Sequence, residues 1–419
     1  MKPTRHIPSD KCLDNTLKLL LEGYLFIPNR TKKYNSNIFR TRVMGQNAIC
    51  MSGEDAAKIF YNKYRFRRKG ATPKRIQKTL FGENGIQSMD GRAHRHRKQM
   101  FMSLMTPDRL DQLVTLVKQQ WFMNAQVFAK KDYAVLFDEA QLLLCQAACK
   151  WAGVPLGKQE AASRAMDFGK MVDAFGAVGP RYWQGKCARR RAECWIKEII
   201  IKARIKSIPV RKNCALYDIT WHRDLKGNLL EPQIAAVELI NVLRPIVAIA
   251  TYITFSALAI HDYPHYRKSL QREDNFTHMF VQEVRRFYPF GPFVGAKVRK
   301  NFTWKQCRFK KGTLVLFDLY GTNHDPKLWK KPYQFRPERF TYWDGNPFDF
   351  VPQGGGNYYE GHRCPGEWVT IEIMKTSINF LANSLLYEVP PQNLSYCLSR
   401  MPTLPKSRFV ISKIKVKHA

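Results

Sequence analysis

The sequence predicts a mainly α fold with small β-sheets at its periphery, built as one domain over residues 1–419. Three observations predict it. Apolar residues recur at helical spacing through most of 53–260. Strand-like alternation is confined to short stretches near 38–51, 312–317 and the C-terminus. No Gly/Ser-rich or Pro-rich linker and no internal repeat divides the 419 residues. Apolar residues make up 45% of the chain, enough for one large core and too many for a disordered polymer.

Taken in order, residues 13–24 read as an amphipathic helix with Leu17, Leu20 and Leu21 at helical spacing on its apolar side. Residues 38–51 read as a hairpin turned near Gly45-Gln46-Asn47. The longest helical pattern is 233–261, with Pro264 just beyond its end, and a further helix over 275–288 is stopped by Pro289. A glycine-rich loop then delivers Cys364 to the start of an apolar helix over 368–386.

Composition bounds the compartment and the partners. Ten cysteines form no paired Cys-x-x-Cys zinc pattern, and Cys145 and Cys149 are spaced for one helix face as small core residues. Residues 1–17 lack the apolar centre of a signal peptide, so a reducing cytoplasm is expected. The apolar run 245–260 falls short of the ~20 residues a bilayer core requires and abuts Arg244, so it is expected to be a buried helix. Net charge is +35, from 69 Lys+Arg against 34 Asp+Glu, which raises nucleic acid and anionic membranes as partners. The runs Arg65-Phe66-Arg67-Arg68-Lys69 and Arg189-Arg190-Arg191 are short and read as solvated faces that would draw an anionic substrate or a lipid surface; no nucleic-acid recognition motif accompanies them.

The chemistry concentrates in Gly354-Gly355-Gly356-Asn357-Tyr358-Tyr359-Glu360-Gly361-His362-Arg363-Cys364-Pro365-Gly366. Glycine lets a backbone approach something flat, and a helix N-terminus favours a negative group and is expected to lower a thiol pKa. A lone thiolate donating to haem iron promotes O–O cleavage. The plain alternative is a buried free cysteine. Upstream lie Glu283-x-x-Arg286, one helical turn apart, and Pro337-Glu338-Arg339-Phe340.

In this order the three constellations resemble the cytochrome P-450 superfamily. The likeness is closer to the bacterial fatty-acid peroxygenases, which use hydrogen peroxide directly. It runs from near Ser9 to near Ser412 and includes Gly85-Ile86-Gln87-Ser88-Met89-Asp90-Gly91, the stretch from Met171-Val172-Asp173 through Phe175 to Gly179-Pro180, and Asn241-Val242-Leu243-Arg244-Pro245-Ile246-Val247. The resemblance implies a cytochrome P-450 fold and haem b with Cys364 as axial ligand. Glu283, Arg286 and Arg339 would form a structural ion-pair triad, and His94, Lys98 and His362 would hold the haem propionates. Phe81, Val172, Phe175 and Phe290 match pocket-lining positions, with plain core packing as the alternative.

Ordinary members carry an acid–alcohol pair in the long central helix; here that stretch holds Arg244-Pro245. Proline removes a helical hydrogen bond and tends to kink the helix. A cationic fork binds a carboxylate in a bidentate pair. The resemblance therefore implies a long-chain fatty acid held by Arg244, whose own carboxylate serves as general acid–base toward peroxide, with no obligatory redox partner. Gln87 stands where hydroxylating relatives have glutamine and a decarboxylating one has histidine, which implies hydroxylation at the α or β carbon with minor alkene formation. One departure concerns the sulfur: Asn357 replaces the superfamily's usual phenylalanine seven residues before the cysteine, and Tyr358-Tyr359-Glu360 is inserted. The alternatives are a monooxygenase fed by a redox partner and a non-catalytic basic protein that binds haem or nucleic acid.

Overall fold

The computed structural model describes residues 7–272 and 274–417; the first six residues of the 1–17 segment lie outside them. Its axis is the apolar stretch Pro232–Asp262, which is long and apolar enough to cross a membrane but is 89% buried inside the protein over its most apolar window. The expected single helix is in fact two, Pro232–Ala248 and Ala250–Asp262. Pro245 supplies no N–H to the fourth carbonyl before it. Four residues on, the Ile249 N–H bonds the Ile246 carbonyl at 3.1 Å, a tighter turn that ends the first helix.

Against this axis pack the helices Leu136–Ala152, Ala161–Asp173 and Pro180–Arg204, with Pro107–Phe128 and Glu367–Asn379 closing the other side. One large core joins them, from Leu113, Trp121 and Leu144 through Leu239 and Phe255 to Ile373 and Leu381. The helix after Cys364 continues as a wider turn over Phe380–Ser384 and passes into a strand at Leu385, two residues before the expected end of the helix.

The strands are β1 (Ile38–Val43), β2 (Gln46–Met51), β3 (Phe66–Arg67), β4 (Tyr133–Val135), β5 (Phe293–Val298), β6 (Phe302–Trp304), β7 (Cys307–Phe309), β8 (Leu314–Asp318), β9 (Leu385–Glu388) and β10 (Val410–Val416). They form a five-stranded sheet in the order β1-β2-β8-β5-β3, a three-stranded sheet β4-β10-β9 and the pair β6-β7. Among the strands of the described residues, only β2 and β8 pair in parallel. Val43 pairs with Gln46, so the hairpin turns at Met44-Gly45, one residue earlier than expected. Both turn residues take positive φ, 51° and 70°, as the two-residue turn that matches strand twist requires.

Two expectations are corrected here. The N-terminal helix is Thr16–Glu22, and it buries Leu19 while Leu17 and Leu21 face solvent. Backbone N–H groups of Met44 and Gly45 bond Thr16 Oγ1 and Asp14, which fixes the helix against the hairpin on its other side. The two basic runs are not uniformly solvated. Arg189 is buried, donating to Glu193 and to the Leu80 carbonyl, and Arg68 is buried with Nη1 on the Gly295 carbonyl.

Asp318 ends β8 and caps the short helix Leu319–Asn323, accepting the Gly321 N–H at 2.8 Å. Burial pushes its carboxyl up to about 8. A carboxyl raised in the folded state stabilises while protonated, and that contribution is lost as pH rises from about 4 through about 8. Asp318→Asn keeps the acceptor without the charge. Its melting temperature should decline less between pH 5 and pH 8 than that of the parent protein, as thermal denaturation followed by circular dichroism would show.

Candidate haem and substrate site

The cysteine loop is held from both sides. Cys364 N–H donates to the Gln353 carbonyl at 3.1 Å, and the Gln353 side-chain amide lies 3.8 Å from the sulfur while bonding Thr370 at 2.9 Å. Arg285 is buried and clamps Gln353 at 2.9 Å and Glu367 at 2.5 Å; Arg363 takes the other oxygen of Glu367 at 2.6 Å. Gly354 and Gly356 have φ of 90° and 78°, and a Cβ on Gly356 would stand 3.0 Å from that of Tyr61. The loop therefore needs glycine for its turn and for its seat on Tyr61.

The helix N-terminus does not lower the thiol as expected. Burial pushes Cys364 up, with Lys98, the Gly366 N–H and Arg285 pulling the other way. A neutral thiol is the resting form of such a group, and a coordinated cation is what removes its proton. Inserted Tyr358 donates to the Pro365 carbonyl at 2.6 Å, and the Lys98 ammonium lies 5.7 Å from its ring.

A second cluster is basic. The helix Gly91–Ser103 buries His94 and Lys98 one turn apart. His94 stacks on His362 with ring centroids 3.9 Å apart, and Lys98 donates to the Arg363 carbonyl at 2.5 Å. Burial, the neighbouring His362 and Lys98 push His94 down to about 3, and burial pushes His362 down to about 4 with Arg68 adding to it. Burial brings Lys98 to about 8. Asp90 is held near 2 against its own burial by His362 and by the N–H groups of Arg68 and Lys69. His362, beside Asp90, thus lies with His94, Arg68 and Lys98 along one side of the cysteine loop. Such a set accepts two further carboxylates, as the propionates of haem b would supply, and Cys364 offers the sulfur. The residues fit the group. Arg68 was not singled out in the sequence, although Phe66 and Arg68 are both buried and Arg67 between them is exposed, the period-two signature of a strand.

On the central helix, Arg244 is 6% exposed and its Nε has no hydrogen-bond partner. No ion pair to Arg244 exists among the described residues. Burial lowers its pKa to about 9, Arg189 adds to the effect, and Cys364 opposes it. One turn earlier, Asn241 donates to the Phe81 carbonyl at 3.0 Å, to Gln87 Oε1 at 3.3 Å and to Glu238 at 3.2 Å. Glu238 is fully buried and paired with Arg97 at 2.6 Å. The structure therefore ties Gln87 and the Phe81 carbonyl to Asn241, one helical turn before Arg244, a residue that sequence reasoning quoted but gave no role. Val172 lies half-buried on the helix Ala161–Asp173. Phe175 packs in a small cluster with Tyr24, Tyr320 and Met401, and Phe290 stacks on Tyr252 at 4.5 Å, so both serve the core as well as any pocket.

Comparison with known proteins places this geometry. The cytochrome P-450 family model matches residues 269–389. Cytochrome P450SP alpha in complex with (R)-ibuprofen is 46% identical, with 96% of this chain and 99% of that chain covered at a TM-score of 0.94. Cytochrome P450EX alpha with myristic acid is 44% identical, covering 99% and 100% at 0.96. The chain belongs to the fatty-acid peroxygenase family of cytochromes P-450. A variant of cytochrome P-450 OleT in complex with arachidonic acid is similar over 99% and 100% of the two chains at 37% identity and a TM-score of 0.96. Among curated sequences, cytochrome P-450 120 of Synechocystis sp. is 24% identical over 433 residues, 93% of this chain and 92% of that protein.

Haem b with a cysteine thiolate ligand follows for this peroxygenase. Behind the loop, Glu283 accepts from Arg286 Nε and Nη2 at 2.7 and 2.8 Å and from Arg339 Nε at 3.1 Å, all in near-complete burial. That is the triad expected from Glu283-x-x-Arg286 and Arg339. Replacing Arg68 or His94 by Ala should speed haem loss to apomyoglobin roughly tenfold, since a charge-assisted hydrogen bond is worth about 1.5–3 kcal/mol. The thiolate absorbance of the remaining holoenzyme should be unchanged.

Proposed function

We propose that this peroxygenase hydroxylates long-chain fatty acids at the α or β carbon with hydrogen peroxide, holding the substrate carboxylate on Arg244. The observation that carries this reading is a buried guanidinium with no carboxylate bonded to it. Burying an ion without a partner costs several kcal/mol, and an incoming anion removes that cost. Myristic and arachidonic acids, which accompany two of the similar structures, each carry one carboxylate on an apolar chain.

Haem, when bound, supplies peroxide activation and oxygen insertion into a C–H bond. The chain's own residues do the rest. Arg244 fixes the carboxylate in a bidentate grip and holds it ionised, so that it can accept a peroxide proton and return it to the oxygen that leaves as water. Asn241, itself fixed by Glu238, holds Gln87 and the Phe81 carbonyl one helical turn before Arg244. Pro245 acts through the backbone, leaving the helix free to shift direction next to Arg244. Phe81, Val172, Phe175 and Phe290 present apolar surface suited to a hydrocarbon chain. His94, Lys98, His362 and Arg68 would hold the haem propionates. Overall, C–H becomes C–OH and the second peroxide oxygen leaves as water, so no reductase is needed.

Peroxide and a long-chain fatty acid, without any reductase, should give 2- or 3-hydroxy acid detectable by gas chromatography–mass spectrometry. Dependence on an added redox partner would overturn the reading. Arg244→Ala should keep haem and the thiolate absorbance but lose on the order of 10²–10⁴-fold in kcat/KM, the range for general acid–base catalysis. A short carboxylic acid added with a non-acidic substrate should fail to rescue it. Cys364→Ala should lose both the thiolate band and all turnover.

A further inference from the structure

Two helices grip the backbone on either side of Phe81. The segment Gln77–Phe81 forms one wide turn, closed by the Gly82 N–H on the Gln77 carbonyl at 2.8 Å. From the helix Pro180–Arg204, Arg189 Nη1 donates to the Leu80 carbonyl at 3.1 Å. From the helix Pro232–Ala248, Asn241 Nδ2 donates to the Phe81 carbonyl at 3.0 Å. These carbonyls belong to the two peptide units that flank the Phe81 Cα. A peptide unit is planar, so fixing both units fixes the φ and ψ of Phe81, and with them the direction of its Cα–Cβ bond. Gly82 tightens the grip. Its φ is 80°, and a Cβ there would collide with Arg189 Nη2 and with Val237. The guanidinium therefore rests against the main chain of residue 82, an approach that glycine allows.

Arg189 is itself held in place. It is 1% exposed, its Nε donates to Glu193 at 2.5 Å, and Gln233 donates to the other oxygen of Glu193 at 2.8 Å. Gln233, Val237 and Asn241 follow at intervals of four along the central helix, so one face of that helix meets Glu193, Gly82 and the Phe81 carbonyl in turn. Arg244 follows Asn241 by one turn. The order along the helix thus anchors the Phe81 main chain next to the turn that carries Arg244. The ion pair with Glu193 uses one nitrogen of Arg189, and the bond to Leu80 uses a second. Lysine carries its charge on a single atom and cannot span both partners.

We propose that Arg189 is a positioning residue that sets which carbon is oxidised: by fixing the Leu80 carbonyl it directs the Phe81 side chain against the first carbons of the bound fatty acid, and so governs the division between α and β hydroxylation. The inference rests on the fatty-acid reading above, in which Arg244 holds the carboxylate. The α and β carbons are the two that follow that carboxylate, so a ring anchored one turn from Arg244 bears on them rather than on the chain's tail. Arg189 touches neither substrate nor haem in this role and acts through the peptide unit between Leu80 and Phe81.

The decisive variant is Arg189→Lys, which keeps a cation beside Glu193 and gives up the Leu80 carbonyl. Holoenzyme is incubated with myristic acid and peroxide, and the 2- and 3-hydroxy acids are quantified by gas chromatography–mass spectrometry. Arg189→Lys should change their ratio by roughly threefold or more, with haem content and thiolate absorbance unchanged. In a Phe81→Ala background the same substitution should leave the ratio where Phe81→Ala alone puts it, because no ring remains to be directed. Amide hydrogen exchange reads the grip without turnover: peptides spanning 77–85 should exchange roughly tenfold faster in Arg189→Lys, and those of the Cys364 loop at the parent rate. Arg30→Lys, at a buried arginine paired with Asp10 and Glu22, controls for a general loss of stability and should keep the parent ratio. An unchanged ratio in Arg189→Lys overturns the proposal, as does unchanged exchange at 77–85, or an equal shift of the ratio in the Phe81→Ala background or in Arg30→Lys. A parent protein that forms no hydroxy acid with peroxide alone overturns the fatty-acid reading and this inference with it; the two failures are told apart because that one is seen before any substitution is made.

Discussion

An unpaired cation inside an apolar helix bundle sets the terms for this site. Arg244 is flanked by Leu243 and Pro245 in a helix whose neighbours are almost all buried and hydrophobic. Its ordinary recourse would be an internal carboxylate, and it has none. Arg189 makes matters worse by placing a second buried guanidinium within electrostatic range. Even lowered to about 9, Arg244 is protonated at neutral pH, so the charge is present and seeks compensation. A fold that tolerates this must gain its stability elsewhere, here from the continuous core along 232–262 and the fully paired triad around Glu283.

The placement of the one nearby acid shows how that charge is kept available. Glu238, Asn241 and Arg244 follow at intervals of three along the same helix. Residues three apart are neighbours, so Asn241 can touch both, while Glu238 and Arg244, six apart, point to different sides. Glu238 is committed to Arg97 at 2.6 Å. The residue between the acid and the base is a neutral amide that spends its donors on Glu238, Gln87 and Phe81. An aspartate at position 241 would pair with Arg244 and close the site from within. The neutral spacer therefore separates two ionic systems, one structural and closed, the other open to a guest.

What was legible in the sequence follows from how local each signal is. Cys364, Glu283 with Arg286, and the His94–Lys98 pair are defined by short spacings on single elements, and each reads directly. Arg244 is visible because an arginine in an apolar run is anomalous on its own. Glu238 and Asn241 stayed silent because their meaning lies in partners 141 and 154 positions away, Arg97 and Gln87. Arg68 was hidden in a basic run whose alternation is only two residues long. The N-terminal helix misled because Leu17, Leu19, Leu20 and Leu21 satisfy more than one apolar face, and the hairpin, not the periodicity, decides which is buried. The direction of the Cys364 shift was misread because a helix terminus acts over one turn, whereas burial acts on the whole group.

Three sets of positive charge now stand in different dielectric settings, and this decides what each can do. The group around Asp90 is buried beside the cysteine loop and fits fixed carboxylates, Arg244 is buried without an ion-pair partner among the described residues, and Lys11 and Arg42 are exposed. Salt screens exposed charges over a Debye length of about 8 Å at physiological strength but barely reaches buried ones. Under the proposed function, selectivity for a carboxylate headgroup would belong to Arg244, where desolvation makes the difference between an anion and a neutral group large. The exposed cations discriminate little among anions and act on encounter alone. A net charge of +35 spread over the surface would, by itself, favour any polyanion equally.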